Sequence, residues 1–490
     1  MSDYVVSVDQ STQGTKALLF DHTGRLVCRA DLPHRQIIND QGWVSHDPEE
    51  IMKNTIQVVK DLVAKAGVDK NELRVLGISN QRETSVAWDK ETGKPVCDAI
   101  VWQCSRAKNL CEKLTACADI VRQKSGINLS PYFPAAKWAW MFENVPGVSE
   151  KAQEGKLAVG TIDSWLVWNL TGGKEFRTDY SNASRTELFN IRTLEWDDEL
   201  LKIFGIPCSC MAQVTDSDGD YGTTDLGGWL DAPIPIRAVL GDSHGALFGQ
   251  GCLEKGMIKA TYGTGSSIMM NIGDAPVFSD AGIVTSLAWS MGGKVNYVLE
   301  NNINYTGAVI TWLKDDLKLI TSPGETETLA KAANPSDTTY FVPAFSGLGA
   351  PYWDSEAKAS ISGMTRVTGK NEVVRAAVDS IAYQIADAVR LMGEACGTQI
   401  GELRVDGGPT RNGYLMQLQS DLTAIPVRIP DSEELSGIGA AYAAGLAQGI
   451  FGEAVFSVLN RVSYESKMDS ETRERKLAGW KSAVDKVKTH

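Results

Sequence analysis

No stretch of this chain holds the roughly 20 consecutive apolar residues that cross a bilayer. Its opening, MSDYVVSVDQ, has no basic segment followed by an apolar run. No membrane partner is expected, and the expected location is the cytoplasm. Net positive charge is also missing: 61 Asp and Glu outnumber 48 Lys and Arg, leaving a formal charge of −13. Such a field repels phosphate backbones, which argues against a nucleic-acid partner. It opposes nucleotide phosphates too, so any nucleotide site has to rely on local backbone donors and a divalent cation. Cysteine is scarce and dispersed, nine in 490 residues, which is no disulfide framework for a chain of this size. The one close pair, Cys208 and Cys210, has a single residue between the thiols and no His nearby, too little for a zinc site. A Walker A loop, G-x-x-x-x-G-K-[ST], occurs nowhere, and no low-complexity segment or long linker interrupts the chain.

What is present is ordinary globular material, 43% hydrophobic and 22% charged, over 490 residues. Single cores rarely grow past roughly 250 to 300 residues, so two large domains are expected. The chain opens with apolar runs Tyr4 to Asp9, Ala17 to Phe20 and Leu26 to Arg29 separated by turns, which predicts an antiparallel β-meander. A helix follows Asp47, with Pro48 in the first turn and Glu50 placed to close a capping box. Ile51, Met52, Ile56, Val59 and Val63 then recur at helical spacing until Gly67. A comparable order returns in the second half: Arg237 to Leu240, Met257 to Thr261, a Gly263 to Gly265 turn, Ile268 to Ile272 and Val295 to Glu300. Two related α/β lobes are therefore predicted, 1–248 and 249–490, with the boundary between 246 and 256. Strand Leu403 to Asp406, a Gly-Gly turn and a helix from about Asn412 complete the second.

Three segments suit phosphates. DQSTQGTK, from Asp9 to Lys16, is a strand ending in an acid and followed by hydroxyls, a glycine and a lysine. TYGTGSS, Thr261 to Ser267, has two glycines that let backbone approach a ligand. DGGPTRN, Asp406 to Asn412, leads from a strand into a helix whose free N–H groups can face an anion or nucleoside. Each alone could be simple turn chemistry, but their recurrence at strand ends in both halves favours phosphate. In VLGDSHGALFG, Asp242 follows an apolar strand and can accept the proton of a hydroxyl that attacks a phosphoryl group; capping the next helix would look the same. In NQRET, Arg82 and Glu83 can grip adjacent hydroxyls, as a surface ion pair also would in sequence.

These segments, in this order, resemble the FGGY family of carbohydrate kinases along essentially the whole chain. Two long signatures carry the likeness: YFPAAKWAWMFEN, Tyr132 to Asn144, and ASISGMTRVTGKNEVVRAAVD, Ala359 to Asp379. GWVSHDP, WDKETGKP, IVWQC, TDYSNASRT, NIRTLEWDDELL and FVPAFSGLGAPYWD are similar to the glycerol kinase branch. The resemblance implies a two-lobed actin-like (ribonuclease H-like) fold with a mixed sheet and flanking helices in each lobe, an ATP-dependent kinase, and Mg²⁺ as cofactor. It implies Asp242 as catalytic base and Arg82, Glu83, Trp102 and Tyr132 around a polyol, with Ser243 and Ser267 beside them. Thr12, Gln13 and Lys16 match the first phosphate loop, Thr264 and Gly265 the second, and Gly307, Thr311, Gly408 and Asn412 the surroundings of the nucleotide. Asp9 would orient Mg²⁺ through water. A homo-oligomer, dimer or tetramer, is also implied.

The departures cluster at the substrate. Ser243, followed by His244, stands where glycerol kinases usually have Gln, and Ser267 where they carry Phe. Thr311 replaces a Gln, and Gln-Gly-Thr-Lys replaces Thr-Ser-Ser-Arg in the first loop. The pocket should then be longer and more polar, which makes a C4 or C5 polyol or ketose (erythritol, D-xylulose, D-ribulose) the alternative to glycerol. A non-catalytic actin-like nucleotide-binding protein is the remote alternative; it would have no reason to keep Arg82, Glu83, Trp102, Tyr132 and Asp242 together.

Overall fold

The computed structural model describes residues 3–489. Two large β-sheets organise the chain, and each grows from a meander. In the first, strands Tyr4–Gln10, Gly14–Phe20 and Leu26–Pro33 run antiparallel in succession. Tyr4–Gln10 then pairs in parallel with Leu73–Asn80, and that strand with Ile234–Gly241. In the second, Ile258–Tyr262, Ser266–Gly273 and Lys294–Ile303 form the antiparallel set. Ile258–Tyr262 pairs in parallel with Leu403–Asp406, which pairs in parallel with Val427–Pro430. Both sheets thus repeat one order, a meander whose first strand continues into two parallel strands. This is the mixed-sheet, two-lobed plan that the recurring strand-and-turn pattern predicts.

Sequence reading misplaces one strand. The repeat pattern of the second half begins with residues 237–240, yet Ile234–Gly241 is the parallel neighbour of Leu73–Asn80 in the first sheet, on the first-lobe side of the expected 246–256 boundary. The strand is buried along most of its length, as parallel strands covered on both faces are, and a buried apolar run does not reveal which sheet it joins.

Helices cover the first sheet from both sides. Pro48–Ala66 starts at Asp47, whose carboxylate accepts the N–H groups of Glu49 and Glu50, and ends at a left-handed Gly67. Its buried face is Ile51, Val58, Val59, Leu62 and Val63, while Met52 and Ile56 are only half-buried. The expected capping box is not made, because the Glu50 carboxylate faces Arg35 instead. The opposite face is covered by Leu435–Ala447, a helix from the C-terminal half, which packs on the first sheet and crosses Asp242–Gly249. The two helices touch through backbone: a Cβ on Gly439 would run into the Gly245 carbonyl. That close approach fixes the helix that begins at Asp242.

A smaller five-stranded sheet, Ile37–Ile38, Val44–His46, Ala99–Ile100, Ser85–Asp89 and Leu157–Thr161, lies beside the first. Glu83 precedes one of its strands and Trp102 follows another. Among the described residues no helix is long and apolar enough to cross a membrane, and the nine cysteines are unpaired.

Candidate active site

The parallel strands Leu73–Asn80 and Ile234–Gly241 deliver Arg82, Glu83 and Asp242 to one cleft of about 500 Å³. Thr12, Trp102 and Tyr132 close it from the first lobe; Ser243, Thr264, Gly265 and Ser267 line it too. Asp242 opens its helix, and its side chain is 34% exposed to the cleft. One carboxylate oxygen accepts the Ser243 N–H at 2.6 Å and faces Arg82 Nε at 3.2 Å. An oxygen so held keeps its partner atom open to a proton.

Behind this surface lies a buried ion network. Arg82 Nη1 and Nη2 donate to Glu300 at 2.8 and 3.2 Å. Arg185 Nε donates to Glu83 at 2.6 Å, and its Nη1 lies 3.1 Å from Glu300. Burial opposes the Arg82 charge, but Glu300, Glu83 and Asp242 reverse that and hold the guanidinium charged. Burial likewise opposes the Glu300 charge, and Arg185 with Arg82 pulls the carboxyl well below its usual range. Three of the five Arg82 N–H groups are thus engaged, leaving two for a ligand. His244 is fully buried behind Gly241 with neither ring nitrogen bonded. Burial and then the Arg82 charge keep it neutral.

Tyr132 is aimed by a lysine. Lys137 Nζ donates to the Pro131 carbonyl at 2.7 Å and to the Tyr132 and Phe133 carbonyls, clamping the turn ahead of helix Pro134–Asn144. Burial pushes this ammonium down to about 7. Trp102 lies 5.5 Å from the Tyr132 ring, and its Nε1 donates to Thr12 Oγ1 at 2.9 Å.

A second cavity, about 520 Å³, contains Gly307, Thr311, Gly408 and Asn412 together, along with Lys314, Glu327 and Arg411. The Gly263–Gly265 turn of the first cavity is bonded to the helix start that lines the second: Gly307 N–H donates to the Gly263 carbonyl at 2.9 Å and Ala308 N–H to the Thr264 carbonyl at 3.0 Å. On the Asp406 side, Gly407 has φ +97° and its Cα abuts the Tyr262 backbone, a place only glycine fits. Asn412 caps helix Gly413–Thr423 through Leu415 N–H.

The loop expected to hold phosphate, Asp9 to Lys16, is divided. Thr12 reaches the first cavity, whereas Gln13 points outward and Lys16 Nζ is bound to Glu434 at 2.9 Å. Asp9 is buried with Oδ1 unbonded, and burial pushes its carboxyl up to about 6. An orphaned carboxylate oxygen at a strand end suits a hydrated divalent cation. Sequence reasoning missed Glu300, Arg185, Lys137, Asn302 and Asn304; the polar alternation of ENNIN, 300–304, was the available signal for the last two.

The FGGY family of carbohydrate kinases matches twice, its N-terminal domain over residues 4–249 and its C-terminal domain over residues 258–448. The chain belongs to the FGGY family of carbohydrate kinases. Members of this family are phosphotransferases that act on an alcohol group, and ATP is the donor. Glycerol kinase 1 of Thermotoga maritima is 47% identical over 491 residues, 99% of this chain and 100% of its own. Glycerol kinase of Symbiobacterium thermophilum is 46% identical over 491 residues, 99% of this chain and 98% of its own. Among solved structures, Plasmodium falciparum glycerol kinase with ADP superposes with a TM-score of 0.94 at 35% identity, over 99% of this chain and 98% of that one. A ligand-bound xylulose kinase from Lactobacillus acidophilus, at 21% identity and a TM-score of 0.88 over 99% and 98% of the two chains, shares the fold.

Proposed function

We propose that this FGGY kinase is glycerol-kinase-like at its site: the first cavity takes the polyol, the second takes ATP, and Asp242 is the base. The observation that carries the reading is the Asp242 carboxylate, open to the cleft and steadied on one oxygen by Ser243 N–H and Arg82. In the reaction the acceptor O–H proton passes to the free Asp242 oxygen as that hydroxyl oxygen bonds to the γ-phosphorus. The bond from the γ-phosphorus to the bridging oxygen breaks, and ADP leaves. Two hydroxyls next to the attacking one fit the free Arg82 donors and the Glu83 carboxylate, while Trp102 and Tyr132 cover the carbon chain. The Thr264–Gly265 turn, with Thr12 across the cleft, meets the phosphoryl oxygens. Lobe closure keeps water, a competing nucleophile, from the γ-phosphate.

Mg²⁺ bound with the nucleotide would neutralise phosphate charge, and Asp9 is the residue that would hold it, through water. Gly307, Thr311, Gly408 and Asn412 are read as the nucleotide surroundings, with the lobes divided as 1–248 and 249–490. Glu434 on Lys16 gives that lysine a role in ordering the loop. A cytoplasmic location and a homodimer or homotetramer complete the reading on family grounds.

Asp242→Asn keeps the shape and removes the base. It is expected to bind ATP and polyol with little change and to lose about 10²–10⁴-fold in kcat. Near-normal kcat would remove Asp242 from this role. ATP binding with no polyol-dependent turnover would favour the non-catalytic actin-like alternative.

A further inference from the structure

The acceptor cavity has a second wall, built by the C-terminal lobe. Strands Ser266–Gly273 and Lys294–Ile303 pair antiparallel, with Ser267 opposite Asn302 and Met269 opposite Glu300. Side chains two apart along a strand share a face, so Glu300 and Asn302 point the same way; Asn304 sits in the bend just past the strand end and lines the same cavity. The bond from Asn302 Nδ2 to Glu300 Oε1, at 3.1 Å, is the direct sign of that shared face. Since Glu300 grips Arg82, the row Glu300, Asn302, Asn304 starts at the hydroxyl-binding guanidinium and runs outward along the cavity.

This row has hydrogen-bonding capacity to spare. Ser267 Oγ is buried without a partner among the described residues. Asn302 gives an N–H to Glu300 and keeps its carbonyl oxygen, and Asn304 presents an exposed amide. An unmet buried hydroxyl costs about 1–3 kcal/mol, a cost that a ligand hydroxyl would lift. A three-carbon triol cannot supply it. One of its hydroxyls attacks beside Asp242 and the other two are taken by Arg82 and Glu83, so none remains for Ser267, Asn302 or Asn304.

We propose that the preferred acceptor is an acyclic polyhydroxy chain of four or five carbons, a tetritol, a pentitol or the matching ketose, and that Ser267, Asn302 and Asn304 read its fourth and fifth hydroxyls. The inference rests on the kinase reading of Asp242 given above and adds specificity determinants on the second lobe. Lobe closure then reads acceptor length, because these residues meet the substrate only from the C-terminal side.

The test is kcat/KM for glycerol, erythritol, xylitol, ribitol, D-xylulose and D-ribulose with Mg-ATP, for the natural chain and for Ser267→Val with Asn304→Leu. The natural chain is expected to favour a four- or five-carbon acceptor over glycerol by at least about tenfold. Two neutral hydrogen bonds at about 0.5–1.5 kcal/mol each predict that the double variant lowers that ratio by about 5- to 150-fold. Glycerol as the best acceptor of the natural chain, or an unchanged ratio in the variant, overturns the inference and leaves the kinase reading standing. Phosphorylation of no polyol at all overturns both. Should the double variant not fold, Asn304→Ala, at an exposed position, gives the same ratio test.

Discussion

Glu300→Gln is the substitution whose effect the structure specifies most fully. It preserves shape and one carbonyl acceptor but removes the negative charge between two buried arginines. Arg82 loses a bidentate pair at 2.8 and 3.2 Å, and Arg185 a contact at 3.1 Å. Breaking a buried ion pair from one side costs about 3–5 kcal/mol. Glu83 and Asp242 still serve the arginines, so the lower end, about 3 kcal/mol of stability, is expected here. The released Nη groups turn toward Asp242 and Glu83, and each charge-assisted bond formed there competes with the acceptor by about 1.5–3 kcal/mol. Acceptor kcat/KM should fall by about 10- to 100-fold, with the KM for ATP unmoved because the cavity proposed for ATP contains none of these groups. The pH dependence has a definite sign. Glu300 is a carboxyl held below its usual range, so its contribution is complete above an unfolded value of about 4.3 and fades as pH falls through the folded one. The stability gap between natural chain and variant is therefore widest above about pH 4.3 and closes in stronger acid. Denaturant unfolding between pH 3 and 8, with steady-state kinetics at neutral pH, reads all of this. An unchanged unfolding midpoint together with an unchanged acceptor KM would refute the reasoning.

Two further outcomes follow from buried titratable groups. Lys137→Met removes the donor that joins three carbonyls of the Tyr132 turn, and should lower stability by about 2–4 kcal/mol while raising the acceptor KM far more than the ATP KM. Equal effects on both KM values would deny Lys137 its part in positioning Tyr132. Asp163 is buried between the Thr161 and Thr178 hydroxyls, and burial, then Asp179, pushes its carboxyl up to about 7. Between the unfolded value near 3.8 and about 7 the folded state holds the extra proton, so stability falls as pH rises through that window. Asp163→Asn should thus gain on the natural chain steadily from pH 4 to 7 in unfolding experiments; a constant difference would show that the carboxyl is already ionised at pH 4.

Local chemistry was legible in the sequence, and pairing across distance was not. The opening meander, the Asp47–Pro48 helix start, the Gly67 stop and the strand–Gly-Gly–helix unit at 403–412 all depend on residues within a few positions of one another, and each is present. Arg82, Glu83 and Asp242, which short strand-end segments suggest, and Trp102 and Tyr132, which the family resemblance adds, do share one cavity. Glu300, Arg185 and Lys137 were missed because a buried charge has the same letter as a solvated one; only the fold brings Arg82 and Glu300, 218 residues apart, together. Lys16 reads as a phosphate ligand until Glu434, 418 residues away, is placed on it. Leu435–Ala447 returns to the first sheet because its small residues allow backbone contact with Asp242–Gly249, a property of two helices together that neither segment reveals alone.

The proposed role of Asp242 and the cavity around it is to transfer phosphate from ATP to a polyol hydroxyl. Coupled ADP release with Mg-ATP, measured with and without glycerol, erythritol, pentitols, ribulose and xylulose, tests it for the natural chain and Asp242→Asn side by side. The prediction is acceptor-dependent ADP release that falls about 10²–10⁴-fold in the variant while both substrates still bind. ADP release that ignores the acceptor, or survives the loss of the Asp242 carboxylate, would contradict it.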